Sequence, residues 1–350
     1  MSILYLMTAP PPALEGTDAV LQEAEALRAR FGGVLVHIGL SSRPWAPFPR
    51  AVHGLQKLRS LKRLERDADL VHVYHAELFA FPVLRLLRKP IVYTVVSGLG
   101  TEKLPGFGFL RRLAAVIVPR PADLSRLRHS GVAQGHLMTA GIDASRFSFS
   151  PPPPGEPFVL VSGSAPWSRE QFHSKGVDAL LEVVRRLPFL KLVLLWRGWL
   201  LEELQHRIVA QGLTDRVEVL ADRVDVNDVL GRAHAAVVLA QEPRLVKAFP
   251  HSLLEALACG RPVIVSDEIA LADYVEQTGC GRVVRAVDPG DLEEAVRRLR
   301  EGYSMLQANA LRVGCRDFSI ERLLEGYGDL YASITASKAR HPRRGRHRRG

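Results

Sequence analysis

Short apolar runs alternate with helix-like segments along most of the chain. ILYLM, VLVHIGL, DLVHVYH, PIVYTVV and AAVIVPR are separated by stretches such as DAVLQEAEALRARF and AELFAFPVLRLLRK. Runs this rich in β-branched residues suit parallel strands covered on both faces. Their alternation with helical segments predicts βαβ units and an open, doubly wound sheet. SPPPPG, residues 150–155, breaks the pattern. Its four prolines can continue neither a helix nor a central strand, so it reads as a linker. The alternation then restarts with FVLVSGS, GVDALLEVVRRL, LKLVLLW, LLEELQHRIV, VEVLAD, AAVVLAQ, SLLEALAC, PVIVSD and GRVV. The expected architecture is α/β, with Rossmann-like domains at residues 1–150 and 155–316. Neither half carries Gly-x-Gly-x-x-Gly, which argues against a dinucleotide oxidoreductase.

A chain of 350 residues with 47% hydrophobic content can fill two cores. Cys259, Cys280 and Cys315 are an odd number without Cys-x-x-Cys spacing. They support neither a disulfide framework nor a zinc site, and a reducing cytoplasm is the expected location. The first apolar run is too short for a signal peptide or a membrane span. Net charge is +10, but seven Lys or Arg and no acid lie in KARHPRRGRHRRG, residues 338–350. The body is thus only mildly basic, and the tail is expected to be disordered. It reads either as a solvated tail or as an anchor for anionic lipid, with nucleic acid the weaker partner.

Two stretches carry candidate chemistry. In KAFPHSLLEALACGRPVIVSD, residues 247–267, Glu255 is the one carboxylate in an apolar helix. Ser252 with Glu255 has capping-box spacing, so Glu255 could simply close the helix start. Alternatively, the amides of Leu253 and Leu254 would face an anion and Glu255 a ribose diol. In SGSAPWSREQFHSKG, residues 162–176, a strand is followed by Gly163, Ser164, Arg169 and Lys175 before the next helix. An α/β sheet presents a phosphate site in this way at its carboxyl edge. An exposed Lys at a loop end is the plain alternative.

The order of these segments resembles the donor-binding half of the retaining family 4 glycosyltransferases, which have the GT-B fold. GIDASRF, residues 141–147, is similar to the family's end of the first domain. DFSIERLLEGYGDLY, residues 317–331, resembles its closing helix, expected here at 319–336 and crossing back to the first domain. The resemblance implies a sugar transferred from a nucleotide-diphosphate donor to an acceptor hydroxyl with retention, without metal or cofactor. Glu255 would bind the ribose, and Lys175 with Arg169 the diphosphate. The turn from Phe249 through His251 to Ser252 would lie against the donor sugar. No Asp-x-Asp occurs, in keeping with a metal-free site.

Three positions depart from the family. Lys247 stands where a second Glu usually faces the donor sugar, Val96 where a His is frequent, and Trp196-Arg197-Gly198 where Gly-Asp-Gly is usual. An inactive nucleotide-sugar-binding scaffold and a GT-B epimerase are therefore the alternative readings. An ammonium at position 247 would suit an acidic sugar, unless a local acid such as Glu242 takes it. Lys175, Lys247 and His75 are the catalytic expectations, His75 because it ends a strand. His72, on the opposite strand face, reads as a core residue. Gly16 opens a strand-to-helix turn near the expected reaction centre. Residues 50–66 hold six Lys or Arg against one Glu. Leu58, Leu61 and Leu64 fall opposite Arg59, Lys62, Arg63 and Arg66, so this helix either packs on the surface or docks on an anionic membrane. A sugar or lipid-linked acceptor, and a peripheral position on the inner membrane face, would follow.

Overall fold

A computed structural model describes residues 1–9, 18–39, 49–100, 104–151, 155–196 and 200–340. In the first half the strands are β1 (Ile3–Met7), β2 (Gly33–His37), β3 (Leu70–His75), β4 (Ile91–Val95), β5 (Leu113–Val118) and β6 (Gly135–Leu137). The helices are α1 (Ala19–Phe31), α2 (Leu58–Asp67), α3 (Pro82–Leu86), α4 (Phe107–Leu110) and α5 (Pro121–His129). All strand pairs are parallel, in the order β2-β1-β3-β4-β5-β6. The apolar runs named above become its strands, except β6, three residues long.

The second half repeats the plan with β7 (Phe158–Ser162), β8 (Leu190–Leu195), β9 (Val217–Leu220), β10 (Ala235–Val238), β11 (Val263–Ser266) and β12 (Gly281–Val284). Between and after them run α6 (Glu170–Ser174), α7 (Val177–Arg186), α8 (Leu201–Ala210), α9 (Val226–Gly231), α10 (His251–Ala258), α11 (Leu271–Thr278), α12 (Pro289–Glu301) and α13 (Tyr303–Asp317). Its parallel order is β12-β11-β10-β7-β8-β9. The order reverses between β7 and β10, and loops leaving that point diverge to opposite sides. That divergence opens a crevice at the carboxyl edge.

The last helix, α14 (Ile320–Arg340), returns to the first half. It runs four residues past the end expected at 336 and takes in residues 338–340, which the sequence pattern assigned to a disordered tail. Residues 341–350 lie outside the described residues. Leu323, Tyr327, Leu330 and Tyr331 complete an apolar cluster with Ile3, Tyr5, Met7 and Leu27. The return is also held by polar bonds in the core. His72 is fully buried and has a hydroxyl on each ring nitrogen. Nε2 meets Thr94 Oγ1 at 2.8 Å and Nδ1 meets Tyr331 OH at 2.6 Å. Thr94 Oγ1 in turn meets Tyr327 OH at 2.7 Å. His72 is therefore a core residue, as face alternation implied, and it fastens α14 to β3 and β4.

Helix α2 forms as its periodicity predicts. Leu61 is buried, and Leu58 and Leu64 pack on the first half's core. Its apolar side is thus turned inward and only the basic face is exposed.

Burial drives the His72 imidazole down to about 3 from its usual 6.5. The unfolded chain therefore binds a proton that the fold refuses between those limits. Stability from this group is complete above pH 6.5 and is lost as pH falls. The slope approaches ~1.4 kcal/mol per pH unit, or about 2 kcal/mol by pH ~5. Urea unfolding of wild type and His72→Gln at neutral and mildly acidic pH should show the steeper acid loss in wild type. Equal slopes would contradict the assignment.

Candidate functional site

The carboxyl edge of β7 turns through Gly163 directly above the start of α10. A Cβ at Gly163 would stand 3.4 Å from Ser252 Cβ, so the two loops singled out in the sequence touch. The chain then passes through α6 to Lys175. Gly176 follows with φ +69° and no room for a side chain: a Cβ would come within 2.6 Å of Leu239 Cδ1. The Gln241 amide donates to the Ser174 carbonyl at 2.9 Å. These contacts pin the Ser-Lys-Gly segment against the end of β10.

Lys175 is 6% exposed. Its ammonium donates to the Ala165 carbonyl at 3.0 Å, and among the described residues no carboxylate lies within ion-pairing distance. Burial lowers its pKa from 10.5 to about 8. A buried cation answered only by a carbonyl dipole is electrostatically incomplete, and an anion would complete it.

Helix α10 begins two residues earlier than expected, with Pro250 as its N-cap and no side-chain cap. Ser252 is therefore inside the first turn, and the Ser252–Glu255 capping box does not form. The amides of Leu253 and Leu254 both donate to the Pro250 carbonyl, at 3.0 and 3.2 Å. They are not the free donors expected from sequence. The first two amides, of His251 and Ser252, are the ones left without a backbone partner among the described residues. Leu253 and Leu254 are wholly buried in the core, whereas Glu255 is half-buried one turn along.

The two halves meet beside this helix. His251 Nε2 lies 2.9 Å from Glu23 Oε1 of α1, and Glu23 Oε1 also accepts from the Gly141 amide at 3.3 Å. The Ala248 amide donates to the Val96 carbonyl at 3.1 Å. Lys247, Glu23, Val96, Phe249 and Tyr327 line one small cavity of about 40 Å³. Burial lowers the Lys247 pKa against the pull of Asp18, Glu23 and Glu255.

Residues 150–310 match the family model described as "Glycosyl transferases group 1". The chain also superposes on solved structures along nearly its whole length. Anabaena Alr3699/HepE, crystallised in complex with UDP, has a TM-score of 0.72 at 16% identity over 95% of this chain and 100% of that one. Sucrose-phosphate synthase from Thermosynechococcus elongatus gives 0.72 at 18% identity, covering 96% and 100%. WaaG, a glycosyltransferase involved in lipopolysaccharide biosynthesis, gives 0.62 at 17% identity, covering 98% and 100%. No curated protein sequence matches the chain. The fold is GT-B.

Within this GT-B frame the sequence-singled residues separate into groups. Gly163, Ser164, Lys175, Ser252 and Glu255 belong to the two loops and helix at the crevice. Phe249 and His251, both 7% exposed, lie at its interdomain wall. Arg169 precedes α6, with its side chain 73% exposed and its guanidinium 3.3 Å from Glu203 of α8. His75 ends β3, its Nδ1 2.6 Å from Thr8 Oγ1 and its ring 4.9 Å from that of Phe81, all within the first half. Trp196 is core, its ring tilted by 42° against that of Phe172 at 5.6 Å. Gly16, Arg197 and Gly198 lie outside the described residues. Sequence reasoning passed over Glu23 and Asp18, which look like ordinary acids of a surface helix until the halves are brought together.

The Lys175 environment yields a paired expectation. Below pH 8 the fold carries the full cost of the buried charge, about 3 kcal/mol at ~1.4 kcal/mol per unit, and the cost fades as pH rises toward 10.5. Lys175→Met should therefore raise thermal stability at neutral pH while abolishing nucleoside diphosphate binding. Wild-type binding about one pH unit above the midpoint should take up close to one proton. Calorimetry in buffers of different ionisation enthalpy measures that uptake. A variant no more stable than wild type, together with no proton uptake, would contradict this account.

Proposed function

We propose that the protein is a glycosyltransferase. It takes a hexose from a nucleoside diphosphate carrier held by the second half and passes it to an acceptor hydroxyl presented from the first. The observation that carries the reading is Lys175, a buried ammonium that pairs with no carboxylate among the described residues, where the β7 loop meets the start of α10. The family-model match and the fold support transfer chemistry, and the structural neighbour solved with UDP, Anabaena Alr3699/HepE, supports this class of donor.

In the proposed reaction the bond from the anomeric carbon to the diphosphate oxygen breaks, and its electron pair leaves with the phosphate. The acceptor oxygen bonds to the anomeric carbon on the same face and gives its proton to the departing phosphate oxygen. Lys175 and the His251 and Ser252 amides stabilise the charge gathering on the diphosphate. These donors are fixed before the reaction begins, so little reorganisation is needed. Glu255, at the same helix start, accepts hydrogen bonds from the ribose diol. The cationic and amide groups supply the neutralisation that a metal would otherwise give.

Lys247 stands among Asp18, Glu23 and Glu255, while Glu242 is paired with Arg244 at 2.5 Å. The protein itself thus answers the Lys247 charge, which favours a neutral donor sugar over an acidic one. The same substitution, with Val96 beside it, is what keeps an inactive nucleotide-sugar-binding scaffold as the second reading. Nucleotide-sugar binding without transfer or hydrolysis of any donor would be the signature of that scaffold, and epimerisation without an acceptor that of a GT-B epimerase.

Glu255→Ala should weaken nucleoside diphosphate binding by ~2–3 kcal/mol, while Glu255→Gln should fold equally well and bind with intermediate strength. Sugar transfer from a panel of nucleotide donors should persist in EDTA. Unchanged affinity in Glu255→Ala, or magnesium-reversible loss of transfer, would overturn the corresponding part of the proposal.

No helix among the described residues is long and apolar enough to cross a membrane. Arg59, Arg63, Arg66, Arg85 and Arg88 are exposed around α2 and α3. With the apolar side of α2 already packed, we propose that contact with a bilayer is by charge alone. Each basic residue near an anionic surface contributes about 1 kcal/mol. Co-sedimentation with anionic vesicles should therefore be strong at low salt and absent near ~1 M, where screening acts within ~3 Å. Equal recovery with neutral vesicles would refute it.

A further inference from the structure

Trp167 lies on the loop between β7 and α6 and is 55% exposed. An indole is the largest apolar side chain, and leaving it in water forfeits a large favourable burial. Slackness of the loop does not explain the exposure. Pro166, immediately before it, is buried. The Trp167 amide donates to Gln171 Oε1 at 2.8 Å, fixing the backbone to the first turn of α6. That helix is anchored in turn by Phe172, which is fully buried and has the Arg207 guanidinium 4.2 Å from its ring centre. Among the described residues the indole has no aromatic partner. The loop therefore inserts its proline and offers its tryptophan to solvent.

The same loop carries the Ala165 carbonyl, which receives the Lys175 ammonium at 3.0 Å. Only Pro166 separates Ala165 from Trp167, so their Cα atoms can be no more than about 7 Å apart. An anion that drew Lys175 off this carbonyl would be held beside the loop that carries the indole. A nucleotide-sugar has a ring on each side of its diphosphate that can lie on an aromatic face: a planar nucleobase beyond the ribose, and a puckered pyranose with an apolar C–H face.

We propose that Trp167 is a stacking platform and specificity-determining residue for a ring joined to the diphosphate, either the nucleobase or the pyranose. The inference rests on the donor-binding reading above and names a recognition element that the reading does not need.

The test is titration of wild type, Trp167→Phe and Trp167→Ala with UDP, ADP, GDP and UDP-glucose, by calorimetry and tryptophan emission. Because the side chain is exposed, thermal unfolding should be the same in all three proteins. Saturating ligand should quench or shift wild-type emission, and the change should vanish in Trp167→Phe, which keeps most of the affinity. Trp167→Ala should bind about 10-fold or more weakly, the scale of an aromatic stacking contact. Weakening seen with every diphosphate, and greatest for the purines, assigns the nucleobase; weakening confined to UDP-glucose assigns the pyranose. If wild type binds these ligands and Trp167→Ala binds all of them equally well, the stacking role is overturned and the donor site stands. If wild type binds none of them while remaining folded, the donor-binding reading fails and this inference falls with it.

Discussion

Two backbone hydrogen bonds at Ile142 fix how the chain crosses between its halves. The Ile142 amide donates to the Phe318 carbonyl at 2.8 Å, and the Ile320 amide donates back to the Ile142 carbonyl at 2.8 Å. The outgoing and returning crossings are thereby held side by side. Gly141 makes the approach possible: a Cβ there would stand 3.0 Å from the Ser319 carbonyl oxygen, the Ile320 Cα and the Leu323 Cβ at once. The Gly141 amide also reaches Glu23, which reaches His251 at the start of α10. A single strap therefore links the two crossings to α1 and to the start of α10.

The site is assembled from parts that are each incomplete alone. A helix start supplies two amides, a buried lysine supplies a charge, and a half-buried carboxylate supplies acceptors. None would bind a ligand strongly in isolation, since exposed amides and exposed charges are already satisfied by water. Burial changes this balance. Lys175 has lost its hydration without gaining a carboxylate among the described residues, so the proposed interaction with a phosphate would be opposed by little solvent. The cost of that desolvation is borne by the core around Leu239 and Phe172, which holds the segment in place whether or not ligand is present.

Much of the architecture was legible because parallel strands buried on both faces must be apolar runs, and these runs are unambiguous. His72 was legible for a related reason: strand alternation puts it on the core side. What escaped reading depended on three-dimensional adjacency. The contact between Gly163 and Ser252 exists because β7 lies beside β10, and strand order is not written in chain order. The start of α10 was misplaced because Ser-x-x-Glu has capping spacing, yet Pro250 takes the cap position and moves Ser252 inside. The length of α14 was underestimated because the basic composition of the tail masked three residues that continue the helix. Glu23 needed the two halves to close before it acquired a partner.

The docking of α14 also bears on how the protein is made. The core beside β1 and β3 contains Ile3, Tyr5 and Tyr74 from early in the chain and Tyr327 and Tyr331 from its far end. Emerging from the ribosome in order, the first half can form its sheet but cannot cover this face. The second half, whose two main clusters are built almost wholly from residues after 158, has no such dependence. The domain synthesised first is thus the one completed last. Until α14 arrives, its tyrosine- and histidine-lined face is the surface a nascent-chain chaperone would meet.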